Sequence, residues 1–135
     1  MQTTKINPET TVIGQVIAKF TAGDPSMFDL IAEDIDFRID HFRDDIETGW
    51  QQAQDRQGLM ALFARLATEV FPKGTRALAV DSVALGDGWH LTEFHQAFFY
   101  GVRQTDVTSQ TFILSHETDG RMDYFRETVT TVLEG

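Results

Sequence analysis

Residues 93–101 read "EFHQAFFYG" and lie at the centre of the segment that decides the fold. In an extended chain, successive side chains point to opposite faces. Phe94 and Phe98 therefore share one face, while His95 and Phe99 share the other. Both faces carry aromatic side chains, which predicts a strand that is covered on both sides rather than one that is half exposed to water.

The chain after residue 74 reads as a series of strands. Turns of the kind "GDG" at 86–88 and "TDG" at 118–120 divide apolar runs, as is typical of β-hairpins. Four strands are predicted, at 75–85, 89–103, 108–116 and 121–133. Because each strand follows the last after a short connection, we expect an antiparallel meander.

Helical periodicity predominates before residue 75. The dipeptides "NP" at 7–8 and "DP" at 24–25 are typical helix starts, because Asn or Asp caps the helix and Pro is tolerated in its first turn. Gly23 ends the first helix and the second is short. Asp55 can cap a third helix, which carries a clear apolar stripe and ends at "FPKG" (71–74).

Between the second and third helices the apolar period changes to two. Ile35, Phe37 and Ile39 alternate with charged residues, which predicts a strand, and His41 falls on its apolar side. Helices followed by a long meander are typical of an α+β fold with helices packed on one face of the sheet. A strongly coiled sheet that is closed by helices leaves a conical space, which we expect to be the pocket.

Composition limits the possible functions. With 135 residues, the chain is expected to form a single domain, 1–135. Its net charge of −10, with 11 basic residues, argues against nucleic-acid and anionic-membrane partners. The absence of Cys excludes disulfides, thiolate nucleophiles and cysteine-bound metals. The N-terminal stretch "MQTTKINPETT" lacks the blocks of a signal peptide and no apolar run could span a bilayer, so a cytoplasmic protein is expected.

Three segments carry a family resemblance: "TAGDPS" (21–26), "LIAEDIDFRID" (30–40) and "ETDGRMDYFRE" (117–127). Together with the order of elements, they resemble the nuclear transport factor 2-like superfamily, especially its SnoaL-like members. The resemblance implies a cone-shaped α+β fold, with about three helices packed on a curved, mixed, mostly antiparallel sheet. It also implies a largely apolar pocket and a homodimer formed through the outer sheet face. The superfamily includes ketosteroid isomerases, polyketide cyclases, dehydratases and members without known activity, so the fold does not fix the reaction.

Local comparison with individual families is partial. "RIDH" (38–41) and His95-Gln96 resemble scytalone dehydratase, but the second catalytic histidine of that family has no counterpart at 76–80. Val16 stands where ketosteroid isomerases carry a tyrosine, and Thr130 stands where SnoaL-like cyclases carry an acid near the end of the last strand. The resemblance therefore transfers no complete catalytic site.

His41 and His95 are the candidate catalytic residues, because histidine alone titrates near neutral pH without assistance and both lie on apolar faces. Glu93 could orient His95. Either histidine could instead be a buried neutral imidazole or lie at a dimer interface. Candidate substrate-binding residues are Trp50, Phe99, Phe112, Tyr124 and Arg126. For Tyr124 and Arg126 the alternative is ordinary cross-strand pairing.

No metal or cofactor is expected. The four histidines lack the spacing of metal ligands, and the chain contains no glycine-rich phosphate loop that leads into a helix. The leading hypothesis is a cofactor-free lyase or isomerase, of the dehydratase or cyclase type, that acts on a small apolar oxygenated molecule in an aromatic pocket. The alternative is a non-catalytic module that binds a small molecule. A structural role beside a larger subunit is a third reading.

Overall fold

The computed structural model describes residues 4–6, 10–41, 51–101 and 103–134, and it confirms the predicted α+β fold. The helices are α1 (Val12–Ala22), a 3₁₀ helix (Pro25–Leu30) and α2 (Arg56–Glu69). The strands are β1 (Thr4–Ile6), β2 (Ile31–His41), β3 (Gln52–Ala53), β4 (Thr75–Gly86), β5 (Trp89–Tyr100), β6 (Thr105–Thr118) and β7 (Arg121–Glu134).

Within the described ranges, all seven strands form one sheet in the order β1-β4-β5-β6-β7-β2-β3. The four strands of the predicted meander, β4 to β7, are neighbours and antiparallel. Strand β2 pairs with β7 in parallel, which makes the sheet mixed. This pairing places the first long strand of the chain beside the last one.

The helix boundaries follow from capping side chains. Thr11 caps α1, because its hydroxyl oxygen accepts a hydrogen bond of 2.9 Å from the backbone N–H of Gly14. The predicted cap at 7–8 lies outside the described residues. Asp24 and Asp55 cap the next two helices as predicted. Gly23 ends α1 in the left-handed conformation, at φ 68°.

The hydrophobic core lies between the helices and one face of the sheet, here called the inner face. Val16 and Ile17 of α1 and Leu59 and Leu66 of α2 are buried against it. Phe37 of β2 stacks on a cross-strand phenylalanine of β7, with ring centroids 4.4 Å apart. The opposite, outer face of the sheet carries no helix among the described elements.

Two bulges set which residues of β7 face inward. The pairing of β6 with β7 skips Asp123 and Thr130, which are therefore extra residues on β7. Regular alternation between the two bulges turns Phe125, Glu127 and Val129 inward, and all three are buried. The bulges thus position Glu127 on the inner face.

A histidine clasp joins the two hairpin turns at one end of the sheet. His116 Nδ1 lies 2.7 Å from Asp123 Oδ1, and His116 Nε2 lies 2.9 Å from the backbone oxygen of Asp87. The hydrogen bond with Asp123 raises the pKa of His116 above its ordinary value. Gly88 lies next to His116 and has a φ of 87°. A Cβ atom at this position would lie only 2.5 Å from the backbone oxygen of Glu117, so a side chain would collide with it.

In the part of the chain that the structure describes, no helix has the length and apolar character needed to cross a membrane.

Candidate functional site

Two small cavities lie between the helices and the inner face of the sheet. The front chamber, of about 50 Å³, lies beside α1 and is lined mainly by apolar side chains, including Val16, Phe37 and Phe94. The rear chamber, of about 40 Å³, lies behind the C-terminal end of α2 and includes Tyr100 and Ser109. Gln96 and Glu127 line both chambers, so the two cavities meet at these polar side chains.

Glu127 is the acid of this site. It lies on β7, the strand between β6 and β2, with Ile113 and Ile39 as its cross-strand neighbours. Burial among apolar side chains disfavours the charged carboxylate and raises the pKa of Glu127 to about 7, although a hydrogen bond from Thr111 opposes the rise. Both protonation states are therefore populated at neutral pH, which is the condition for acid–base catalysis.

Gln96 supplies a second polar group. Its side chain lies on the inner face of β5 between two phenylalanines and is almost fully buried. Its Oε1 atom accepts a hydrogen bond of 2.6 Å from the hydroxyl of Thr75. Because the oxygen is engaged in this way, the amide N–H groups are the part of Gln96 that can donate to a ligand oxygen.

A larger groove lies outside the front chamber. Its volume is about 590 Å³, and it runs between the end of α1, the 3₁₀ helix, α2 and residues 71–75. Phe20, Phe63 and Phe71 line both the groove and the front chamber. The ring centroid of Phe20 lies 5.7 Å from that of Phe63 and 5.5 Å from that of Phe71, so the three rings form one aromatic cluster that borders both spaces.

The groove is mostly apolar, with two lysines among its lining residues. Lys19 donates a hydrogen bond of 2.7 Å from Nζ to the hydroxyl of Ser26 and also contacts Asp24. The ammonium of Lys73 lies 4.2 Å from the centroid of the Phe99 ring. The volume of the groove falls within the range of about 300–1,000 Å³ that is typical of small-molecule sites.

His95 lies away from both chambers. It occupies the outer face of β5, because its side chain alternates with those of Phe94 and Gln96. Its Nε2 atom lies 3.2 Å from Glu93 Oε2, so the predicted pairing of these two residues is present, but on the outer face. Phe99 lies on the same face.

The other predicted binding residues also fall on the outer face. Phe112 alternates with inward-facing neighbours on β6 and is 42% exposed. On β7, Tyr124 packs against the ring of Trp89 at 5.3 Å, and the Arg126 guanidinium lies 5.7 Å from the Tyr124 ring. The structure therefore brings Phe112, Tyr124 and Arg126 near the outer surface rather than into the chambers.

The last two predicted residues lie where the structure gives no side chain. His41 is the final residue of β2, and only its strand position is described. Trp50 lies outside the described residues. The roles assigned to both from the sequence stay predictions.

Glu127 and Gln96 are not among the residues predicted from the sequence, although the sequence carries a signal for each. Phe125 and Val129 flank Glu127 at a period of two, which marks it as the polar residue on the apolar side of β7. In the same way, Phe94 and Phe98 flank Gln96. The resemblance placed Thr130 where cyclases carry an acid, but Thr130 is the extra residue of a bulge and the inward acid is Glu127.

Among residues 4–6, 10–41, 51–101 and 103–134, no three or more His, Asp or Glu side chains lie together in a group that could hold a metal ion. Glu127 is the only acidic residue among those described as lining the two chambers. Glu127 and Gln96, which line both chambers, can supply proton transfer and hydrogen bonding there.

Solved structures with a similar fold cover almost the whole chain. A candidate polyketide cyclase from Xanthomonas campestris pv. campestris shares 13% identity at a TM-score of 0.72, with 91% of this chain and 90% of that chain covered. TerC, co-crystallised with polyporic acid, shares 14% identity at a TM-score of 0.72, with 92% of each chain covered.

A third similar structure is a nuclear transport factor 2-like protein of unknown function from Burkholderia pseudomallei. It shares 13% identity at a TM-score of 0.72, with 93% of this chain and 92% of that chain covered. No family model and no curated protein sequence matches the chain. At these identities the similarity establishes the fold and leaves the activity open.

Proposed function

We propose that this protein, which has the nuclear transport factor 2-like fold, is a cofactor-free lyase or isomerase of a small apolar oxygenated molecule, with Glu127 as its acid–base group. One observation carries the proposal: a buried carboxyl lies where two cavities meet inside the cone, beside the amide of Gln96. Among the described residues no cationic side chain accounts for the pKa of Glu127, and burial of such an acid is costly for stability, as is typical of functional sites.

The proposed chemistry uses both polar groups. The Glu127 carboxylate would remove a proton from a carbon next to a carbonyl, and the Gln96 amide would donate a hydrogen bond to the oxygen on which negative charge develops. In an isomerisation, the carboxylic acid then returns the proton to a different carbon. In an elimination, it gives the proton to the leaving oxygen. Neither reaction requires a metal or an electron acceptor.

The sizes of the cavities define how a substrate would bind. The front chamber, at about 50 Å³, is too small for a whole organic substrate, whereas the groove, at about 590 Å³, is large enough. We therefore place the apolar body of the substrate in the groove and its oxygenated end in the front chamber. Entry requires the rings of Phe20, Phe63 and Phe71 to rotate apart, a motion that side chains make rapidly.

The similar structures support this proposal at the level of the fold. One is a candidate polyketide cyclase, and another, TerC, was crystallised with polyporic acid. A candidate cyclase and a protein crystallised with polyporic acid thus share the fold of this chain, which is compatible with a small-molecule site.

The test is a comparison of two variants on a substrate found by screening small cyclic ketones and hydroxy ketones. Glu127→Gln keeps the shape of the side chain but removes its acid–base function, so we expect kcat/KM to fall by about 10²–10⁴-fold with substrate binding retained. His95→Gln, on the outer face, is the matched control and should change kcat/KM by less than about twofold. Full activity of Glu127→Gln would refute the proposed role, and loss of activity only in His95→Gln would restore the prediction from the sequence.

A second candidate function is non-catalytic binding of a small molecule. The volume and the aromatic lining of the groove favour it, because both suit an apolar ligand irrespective of Glu127. Native mass spectrometry of the purified protein distinguishes the two functions. A ligand that is retained and released chemically unaltered, from both the wild-type protein and Glu127→Gln, would favour binding alone.

We also propose that the protein forms a homodimer through the outer face of the sheet. Leu91 and Phe112 lie there at 38% and 42% exposure, on neighbouring antiparallel strands. Large apolar side chains that share a strand surface are typical of a face that another subunit covers.

A further inference from the structure

The rear chamber contains a buried hydroxyl that has no hydrogen-bond partner among the residues that the structure describes. Ser109 lies on the inner face of β6 and is 3% exposed. No described residue makes a hydrogen bond with its Oγ atom. A buried hydroxyl without a partner costs about 1–3 kcal/mol, so such groups in folded proteins are usually bonded to water or to a ligand.

The size and lining of the rear chamber suit water rather than an organic ligand. At about 40 Å³ it has space for roughly two or three water molecules and is far below the volume of a small-molecule site. Its polar lining side chains are Gln51, Gln96, Tyr100, Ser109 and Glu127, whereas those of the front chamber are Gln96 and Glu127 alone. Water needs two to four polar partners to be held in a buried site, and the rear chamber offers more of them than the front chamber does.

We propose that the rear chamber is a water site connecting the Ser109 hydroxyl to the Glu127 carboxyl, and that Ser109 is a positioning residue for proton exchange at Glu127. The water site itself does not depend on the activity proposed above. Its role in proton exchange rests on that proposed function.

Glu127 borders a different environment on each side, because it lines both the front and the rear chamber. Substrate would approach from the apolar front chamber, and water would contact the carboxyl from the rear. A carboxyl enclosed by apolar side chains exchanges protons slowly unless water reaches it. Because the proposed reactions end with Glu127 in the carboxylate form, the water would act before substrate binds, by letting the resting carboxyl exchange its proton and reach that form. A water that donates to the carboxylate also stabilises the charged form, as the Thr111 hydroxyl does. Tyr100 is the only other titratable side chain among the described residues that line the chambers.

The experiment compares three variants of the full chain. Ser109→Val removes the hydroxyl and fills the chamber with methyl groups. Ser109→Ala removes the hydroxyl but leaves the space. Ser115→Ala is the matched control, because Ser115 is equally buried on the inner face of the same strand but lines neither chamber. The pKa of Glu127 is measured from the ¹³Cδ resonances of protein labelled at glutamate, with its signal assigned by its absence in Glu127→Gln.

In a crystal structure of the wild-type protein, we expect ordered water within hydrogen-bonding distance of Ser109 Oγ, and in Ser109→Val we expect it to be lost. The pKa of Glu127 should rise further, by about one unit in Ser109→Val and by less in Ser109→Ala, because the charged form loses a hydrogen bond. Ser115→Ala should leave it unchanged. A wild-type chamber without ordered water, or an unchanged pKa in Ser109→Val, would overturn the proposal.

Two features keep the test decisive. If Ser109→Val does not fold, the titration of Glu127 in Ser109→Ala carries the test, with a smaller expected rise in the pKa. Neither measurement uses a substrate, so a Glu127→Gln variant that retains activity would refute the proposed function and leave the water site standing. If a substrate is found, the acidic limb of the kcat/KM profile should move with the pKa of Glu127 in Ser109→Val, whereas a purely structural role would lower activity equally at every pH.

Discussion

Replacing Glu127 by Gln should stabilise the protein more at high pH than at low pH. In the folded protein the pKa of Glu127 is about 7, above its ordinary value of 4.5, so the folded state holds the proton more tightly than the unfolded state. As the pH rises from 4.5 to 7, the unfolded chain loses this proton first. The free energy of unfolding therefore falls across this window, and the full cost is present above it.

The magnitude follows from the gap between the two pKa values. Each pKa unit corresponds to about 1.4 kcal/mol, so the gap costs about 3 kcal/mol above pH 7 and less than about 1 kcal/mol at pH 5. Glutamine has nearly the same size and does not titrate, so any cost of burying its amide is the same at both pH values. The gain from Glu127→Gln, relative to wild type, should be about 2–3 kcal/mol larger at pH 8 than at pH 5.

The assay is urea denaturation of the wild-type protein and of Glu127→Gln at pH 5 and pH 8, with the free energy of unfolding extrapolated to water. Glu33→Gln, at an exposed position on β2, is the matched control for loss of one acidic charge and should show a difference below about 0.5 kcal/mol. An equal effect of Glu127→Gln at both pH values would show that the carboxyl is not desolvated, and the argument for its role would fail.

Three further predictions concern the hairpin turns and the outer face. Gly88→Ala should lower the free energy of unfolding by several kcal/mol, because the new Cβ would lie 2.5 Å from the backbone oxygen of Glu117. The control is Gly120→Ala, which is also at positive φ but has no atom within 4 Å of the new Cβ. It should cost only about 1 kcal/mol in the same denaturation assay. His116→Gln should destabilise the protein more at pH 6 than at pH 9, because the pKa raised by Asp123 means that the stabilisation is present at low pH and is lost as the pH rises through that pKa; equal losses at both values would contradict it. Phe112→Asp should raise the dimer dissociation constant by at least tenfold in sedimentation experiments while preserving the circular dichroism spectrum, and a wild-type protein that sediments as a monomer would rule out the proposed dimer.

Most of the fold could be predicted from the sequence because its signals are local. The apolar stripe of α2, the caps at Asp24 and Asp55, and the turns of the meander each require only a few adjacent residues. The short strands β1 and β3 were missed, since three and two residues are too few to show a period. They form only because longer neighbours, β4 and β2, offer hydrogen-bonding edges.

The site was harder to predict because it depends on which face of each strand the helices cover. On β5 both faces carry aromatic side chains, so the pattern did not separate Gln96 from His95. The chemistry of the side chain favours His95 as a catalytic group, although His95 lies on the outer face. On β7 the alternation of side chains shows that Phe125 and Glu127 lie on the opposite face from Tyr124. The bulges that determine which of these faces points inward depend on pairing with β6, so the sequence of β7 alone does not reveal them.

The parallel pairing of β2 with β7 has a consequence for the order of folding. It joins residues that are about ninety positions apart, whereas the meander pairs residues within short hairpins. Closing the longer loop costs more chain entropy, so we expect the meander to form first and β2 to dock late. Ile39 then reaches Glu127 only in the last step, and the carboxyl stays hydrated until that moment. At alkaline pH the ionised carboxylate would lose its hydration only after the transition state of folding. The cost of burying it would therefore raise the unfolding rate rather than lower the folding rate.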